Sequence, residues 1–306
     1  MLNFCNPMIR VSNNFASATA IANLRRINDQ QAKLQQNVAS GRRLLKPSDD
    51  PAATSRVLNH KMEQERVSNY RAAASMAKSA SEASLAALKQ LQKISGRMGE
   101  LSSLAAGVDP QSMRAYGAEV AQLLEQAANV ANTRFGPDYI FAGTAVDAAP
   151  YEAVRADDGT ISSVAYKGNN TDSLVPIGDG RAISPSAGAA TTNPAIAEFI
   201  NRMVALRDAM KTANAPAVKS INSQMAADED KFITAIGTVA AVQARIESNE
   251  TQLQARSNDL GELIARDTDA DLATTMVQLN QAQTAYQAAL SSTANIFKSS
   301  LLDYLR

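Results

Sequence analysis

The sequence predicts a mainly α fold: long antiparallel helices from both chain ends forming a coiled-coil bundle, with a small β-rich insert in the middle. Three observations predict it. Apolar residues recur at alternating steps of three and four near both termini. Two long stretches, 52–109 and 217–306, contain no proline to interrupt a helix. Between Phe135 and Gly188, by contrast, lie seven of the 14 glycines, four of the ten prolines and five aromatics. Turn-forming residues are therefore concentrated in the middle of the chain.

The first element follows from Ala20, Leu24, Ile27, Gln31, Leu34 and Val38, which keep the four-three alternation. They give a helix from about Ser17 to Ser40, with Gly41 as a C-terminal stop. A connector, GRRLLKPSDDP, leads to Asp50-Pro51. A carboxylate can cap free N–H groups there, and proline suits the first helical position. Leu91, Ile94, Met98, Leu101, Ala105 and Val108 then sustain the pattern. Helix over most of 51–106 would span roughly 80 Å, far beyond an ordinary globular helix. Asp109-Pro110 marks a further cap and a helix to about Thr133.

In the middle, Ile161–Lys167 and Ser173–Ile177 flank the turn-forming Gly168-Asn169-Asn170, which implies at least one hairpin. An insert of about 50 residues is small for a core of its own and should lean on the helices. Asn193-Pro194 restarts helix to about Ala213, and Pro216 interrupts it. A second very long helix runs from about Ala217 to Arg266, with Phe232, Ile236, Val239, Val242, Ile246, Leu253, Leu260 and Ile264 on or near one stripe. The order is near-palindromic, so the ends should meet and the insert should lie far from them. The expected domains are 1–45 with 267–306, 46–134 with 194–266, and 135–193.

The last helix is the most informative stretch. Leu272, Met276, Leu279, Gln283, Tyr286, Leu290, Thr293 and Phe297 form an unbroken seam, and Leu301 extends it. The rest of its surface is Ala, Gln, Ser and Thr. Such a helix draws its stability from packing and needs a partner. The seam can be ordinary intramolecular core, or be shared within the chain and with neighbouring copies.

Composition narrows the function classes. Basic and acidic residues number 30 each, so total charge does not point to nucleic acid or an anionic membrane. Between Met8 and Lys46, however, seven bases face one acid, whereas Asp259 to Arg306 carries six acids and three bases. Opposite signs favour the two terminal helices lying together, with a solvated basic face as the alternative. No run approaches the ~18 apolar residues of a membrane span, so no membrane insertion is expected. The segment MLNFCNPMIRVSNNF lacks the apolar core of a secretory signal. Cys5 is the single cysteine, so no internal disulfide forms, and Met8 would serve equally well as a start. These features suit a cytosolic protein, or one exported without a cleavable signal.

Three motifs carry a family resemblance. Ser40–Leu58, SGRRLLKPSDDPAATSRVL, resembles the S-G-[KR]-R-[IL]-x-[KR]-P-S-D-D-P signature of the flagellin superfamily, in the form its hook–filament junction branch uses. Pro47, Ser48, Asp49, Asp50 and Pro51 are its centre. Tyr139-Ile140-Phe141-Ala142-Gly143-Thr144 is similar to the Y-[IL]-F-[SAG]-G-T of the same branch. The tail from Ala285 to Leu305 resembles the family's C-terminal helix, and Met8–Ser12 its usual start with one residue inserted. The resemblance covers about 8–148 and 217–306.

The resemblance implies a structural protein of the bacterial flagellum, an adaptor between hook and filament. Its terminal helices would pair as an inner coiled coil, disordered before assembly, with the long helices outside them and the insert outermost. It would leave the cell unfolded through the flagellar type III channel. The implied partners are other copies of itself, the first hook-associated protein, flagellin, and a cytoplasmic export chaperone that holds the C-terminal helix. A short flagellin, the filament subunit itself, is the alternative. A coiled-coil adhesin or signalling module is more remote, since it would want a membrane anchor.

Chemistry finds few candidates. His60 stands alone, where zinc or a histidine-based catalytic group would want company. No glycine-rich phosphate cradle follows a strand. Asp267, Asp269 and Asp271 resemble the start of a calcium loop, but Leu272 and Gln278 stand where glycine and glutamate are needed, and helix capping explains the same acids. Asp49 and Asp50 read more simply as a cap and dipole partner than as a catalytic pair. Arg97, Glu100 and Leu101 partly resemble the flagellin surface that innate receptors read, with a plain helix surface as the simpler account. No enzyme, cofactor or metal is expected.

Overall fold

The structure, a computed structural model, describes residues 8–186 and 188–304, with side chains described at 15, 18–186 and 188–298. The elements are α1 (Met8–Ser40), α2 (Pro51–Ala105), α3 (Pro110–Ala131), β1 (Arg134–Phe135), β2 (Asp138–Tyr139), β3 (Tyr151–Arg155), β4 (Ile161–Tyr166), β5 (Val175–Gly178), β6 (Arg181–Ile183), α4 (Ala189–Lys211), α5 (Ala215–Thr268) and α6 (Leu272–Tyr304). The fold is mainly α, with long packed helices and small antiparallel strand pairs between them.

Caps explain where the helices begin. Asp50 accepts the Ala53 N–H at 2.9 Å, and Asp109 accepts Gln111 N–H at 2.8 Å and Ser112 N–H at 3.1 Å, each just before a proline. Asp271 takes the Ala273 and Thr274 N–H groups at the head of α6. Gly41, with φ of +67°, ends α1 in the left-handed region that favours glycine. Three helix starts differ from expectation. α1 begins at Met8, well before the expected Ser17. α4 starts at Ala189, before Pro194, because Gly188 turns the chain at φ 78° and Asp172 takes the Ala189 N–H. α5 starts at Ala215, so Pro216 sits in its first turn, where no N–H is needed.

The chain divides into two compact units, Met1–Glu65 with Asn258–Arg306, and Arg66–Ser257. These boundaries fall inside α2 and α5 and not at the expected 45/46 and 134/135. The insert makes no unit of its own. Its strands pair only two by two, and its buried Tyr151, Ile161, Val164, Ile177 and Ile183 join the helical core.

In the 66–257 unit, Lys78 Nζ lies 3.2 Å from Glu247 while Ser102 Oγ is 3.5 Å from Val218 O, so α2 and α5 run antiparallel. On α2 the buried positions 74, 77, 81, 84, 88, 91, 95, 98, 102 and 105 alternate threes and fours without a break. On α5 positions 225, 228, 232, 235, 239, 242, 246 and 249 do the same. Ile94 and Leu101, on a second face of α2, are also buried, and Arg97 on α2 pairs with Glu119 on α3. α4 packs along α3, and Phe199 meets Phe232 edge to face at 5.1 Å.

Both expected strand runs are present, but each has another partner. β4 pairs with β3 across the Asp157-Asp158-Gly159 turn, and β5 pairs with β6 across Asp179-Gly180. Gly168-Asn169 therefore turns no hairpin. The strands are tied to helices by side chains that imitate a ladder. Asn201 on α4 exchanges both hydrogen bonds with Val164, at 2.8 and 2.9 Å, and Asn132 does the same for Tyr151 at 3.0 and 2.9 Å.

Candidate functional site

The candidate site lies in the unit built from both chain ends, where α1 packs along α6. On α1, Ala20, Leu24, Ile27, Gln31 and Val38 are half-buried, and Leu34 is buried. On α6 the covered positions are Thr275, Leu279, Ala282, Tyr286, Ala289 and Thr293. This stripe keeps the four-three alternation but is offset from the expected seam, sharing with it only Leu279, Tyr286 and Thr293. Leu272, Met276, Leu290 and Phe297 remain 46%, 51%, 44% and 40% exposed, so the apolar edge of α6 is left uncovered. Val277 widens that edge. Leu301 falls outside the described side chains.

At the head of this helix pair, the 41–50 connector meets the C-terminal end of α5 and the 269–271 break that follows it. Arg43 N–H donates to Thr268 O at 2.7 Å, Ala270 N–H to Gly41 O at 2.9 Å, and Arg42 bridges Asp269. The Arg43 guanidinium donates to Asp267 O at 2.8 Å and to Asp50 Oδ2 at 3.4 Å. Arg56 grips the Asp267 carboxylate with two bonds, of 3.0 and 2.6 Å. Asp49 accepts Lys33 Nζ at 2.8 Å and the Leu45 and Lys46 N–H groups at 3.1 and 2.9 Å. The Lys33 bond, then the Lys46 N–H, hold the Asp49 carboxyl down at about 2. Arg56 likewise lowers Asp267, and the Ala53 N–H lowers Asp50.

Most of these motif residues have a local task. Asp49 closes the connector and Asp50 caps α2 with Pro51 behind it. Pro47 and Ser48 sit exposed in the turn, and Pro47 O accepts a 3.4 Å bond from Thr54 Oγ1. Sequence reasoning missed Arg43, Arg56 and their partner Asp267. The signals available were that Arg43 and Arg56 both lie inside the Ser40–Leu58 motif and that the chain ends carry opposite charges.

The second motif is locked onto Gly168-Asn169. Asn169 Oδ1 accepts the Thr144 N–H at 2.9 Å, and its Nδ2 donates to Thr144 Oγ1 at 2.6 Å. Tyr166 Oη donates toward Asn169 O at 2.6 Å and Phe141 O at 3.2 Å. Gly143 has φ of +69°, and a Cβ there would stand 2.2 Å from Asn169 O, so only glycine fits. Phe141 is buried beneath, and Arg134 stacks 4.3 Å above the Tyr139 ring. Tyr139 and Gly143 also line an apolar groove of about 250 Å³ with Met76, Phe135 and Val175.

The three aspartates around the break do three separate things: Asp267 pairs with Arg56, Asp269 accepts Thr268 Oγ1, and Asp271 caps α6. Among the described residues no group of three or more His, Cys, Asp or Glu could hold a metal, and no helix is long and apolar enough to cross a membrane. Arg97 and Glu100 pair with each other at the surface, but Leu101 is fully buried and unavailable to a receptor.

The model of the bacterial flagellin N-terminal helical region matches residues 11–146, and that of the C-terminal helical region matches 221–305, together more than two thirds of the chain. No curated protein matches it. Among solved structures it is similar to FlgL of Xanthomonas campestris in two crystal forms. One has TM-score 0.55 and 12% identity over 67% of this chain and 99% of that one. The other has TM-score 0.50 and 13% identity over 62% and 98%. Bacillus cereus FlgL is 20% identical over 70% of this chain and all of its own, at TM-score 0.49. The Xanthomonas likenesses speak for the fold.

Proposed function

The chain belongs to the flagellin family, and on that premise we propose that it is a structural subunit of the bacterial flagellum, the adaptor between hook and flagellin filament. The observation that carries this reading is the two-sided α6. One stripe is covered by α1, while Leu272, Met276, Leu290 and Phe297 beside it keep apolar surface free for another helix. Head-to-tail use of such a surface builds open helical arrays when the rotation does not close. The neighbours would be other copies of the chain, the first hook-associated protein on one side and flagellin on the other, with 135–193 facing outward. An export chaperone would cover the same α6 edge before secretion through the flagellar export channel. The Tyr139–Thr144 motif and the likeness to FlgL of Xanthomonas campestris support the junction position.

Deleting Leu290–Arg306 should leave a soluble, largely folded chain that no longer assembles. Normal flagella grown with that truncation would sink the mechanism. The second reading, a short filament subunit, is favoured by the flagellin descriptions of both matching models. Immunogold labelling separates the two: one band between hook and filament for the adaptor, label along the whole length for the filament subunit.

A further inference from the structure

We propose that the β5–β6 hairpin is a strap that holds together a weakly packed stretch of the α2–α5 pair. The seam between these two helices changes character along its length. From Leu88 to Ala105 on α2 and from Val218 to Ala235 on α5 it carries Leu88, Leu91, Met98, Met225 and Phe232, all buried. α3 and α4 flank that stretch. α3 meets α2 where Glu119 pairs with Arg97, and it ends at Ala131. α4 begins at Ala189, where Thr191 and Thr192 share a cleft with Thr234 and Thr238 of α5. Past those ends the cover comes from the insert, and Met76, Ala77 and Ala80 of α2 line the apolar groove with Phe135, Tyr139 and Val175.

The seam of this second stretch is Ala74, Ala77, Ser81 and Ser84 on α2, and Val239, Val242, Ile246 and Asn249 on α5. Its α2 side chains are small and bury little apolar area. Ser81 Oγ, Ser84 Oγ and Asn249 Oδ1 are buried and have no hydrogen-bond partner among the described residues. Each has given up water without replacing it, which opposes closure. Ser95 has the same fault, but Leu91 and Met98 stand on either side of it along the seam. The hairpin supplies what the second stretch lacks. Its turn reaches both helices: Tyr70 Oη on α2 donates to Asp179 Oδ1 at 2.9 Å, and Arg181 Nη1 donates to Gln252 Oε1 on α5 at 3.1 Å. These contacts lie about one helical turn beyond Ala74 and Asn249. Ile177 and Ile183 on the strands are buried in the core that the helices share. At the base, Asp172 accepts the Ala189 N–H at 2.9 Å, which fixes the hairpin to the head of α4. The strap is thus held firmly at one end and fastened by two exposed polar contacts at the other. Release at the fastened end lets 70–84 part from 239–252, and helices without a partner are marginal.

The strap lies wholly within the 66–257 unit and does not depend on the flagellar reading. Amide hydrogen exchange on the full chain tests it. Tyr70→Phe with Arg181→Met removes both fastenings and keeps the apolar bodies. It should speed exchange over 74–84 and 239–249 about tenfold or more and leave 91–102 and 199–210 unchanged. Adding Ser81→Ala with Ser84→Ala to that variant should restore most of the protection. Ser75→Ala with Ser79→Ala, exposed on the same helix, makes the same change of helix propensity and should restore less. Unchanged exchange in the strap variant would overturn the proposal. Faster exchange spread equally over 91–102 would do so too, since the hairpin would then be part of one undivided core. No rescue, or equal rescue by both serine pairs, would show that the buried hydroxyls are not the weakness, and would overturn it as well.

Discussion

Asp49 accepts three hydrogen bonds, and every one of them favours its charged form. Its carboxyl is therefore held at about 2, below an ordinary aspartate. A lowered folded pKa contributes stability above the unfolded value that is lost as pH falls through the folded one. The window for Asp49 thus runs from the ordinary value of 3.8 down to about 2. Asp267 and Asp50 shift in the same direction, through Arg56 and the Ala53 N–H respectively, so all three act together. The connector should hold at neutral pH and loosen as acid enters that window. All three carboxylates lie near solvent, so salt should soften the effect. The amides of Leu45 and Lys46 report it directly, because they lose their acceptor when Asp49 is protonated. Asp49→Asn should expose both amides to exchange at neutral pH and flatten their acid dependence. Amides of the variant that stay protected and still titrate in that window would refute this account.

Between elements, α4 and α5 are joined by a charged pair inside the helix bundle. The Asp228 side chain is 1% exposed and receives a forked grip from Arg202, at 2.6 and 2.9 Å, with Gln224 completing the fork. Removing Arg202 leaves the buried Asp228 charge with only the more distant Lys231 ammonium, at 3.9 Å. Arg202→Met should therefore cost about 3–5 kcal/mol in chemical denaturation. Arg202→Met with Asp228→Leu should recover most of that loss; a double variant as unstable as the single one would show that the pair is not the cause. No periodicity could have announced it, since Asp228 occupies a core position of the α5 stripe, where an apolar residue is expected. The stripes themselves were legible. α2, α5 and α6 follow from steps of three and four and from proline placement, and the Asp-Pro starts mark true caps. The α1-facing stripe of α6 was harder to see, because Thr275, Ala282 and Ala289 are too small to register as apolar signal. The apolar set offset from it is the uncovered edge. Strand partners were illegible for a different reason. Asp158-Gly159 and Asp179-Gly180 are turn signals as strong as Gly168-Asn169-Asn170, and only tertiary contact with Gly143 and Thr144 decides what the latter does.

For the whole molecule, the distribution of core decides what survives damage. Of the large fully buried side chains, Phe141, Phe199, Phe232, Leu88, Leu91 and Met98 belong to the 66–257 unit, and Leu260 belongs to the unit made from the chain ends. The unit made from the chain ends buries Ala53, Val57, Leu34, Leu260 and Ala282, with polar Asn37 and Thr275 among them. Apolar burial is the dominant favourable term in folding, so resistance to heat should reside in the 66–257 unit. Loss of helix from the ends costs helical signal without touching that core. Calorimetry of the native chain should show one main transition from the 66–257 unit, and far-UV dichroism should show helix lost below it. Deleting Leu290–Arg306 should remove part of that early loss and move the main transition by no more than about 2–4 °C, the shift expected for roughly 1 kcal/mol in a domain of this size. A main transition that falls much further would mean that the end helices carry core stability that their exposed seams do not suggest.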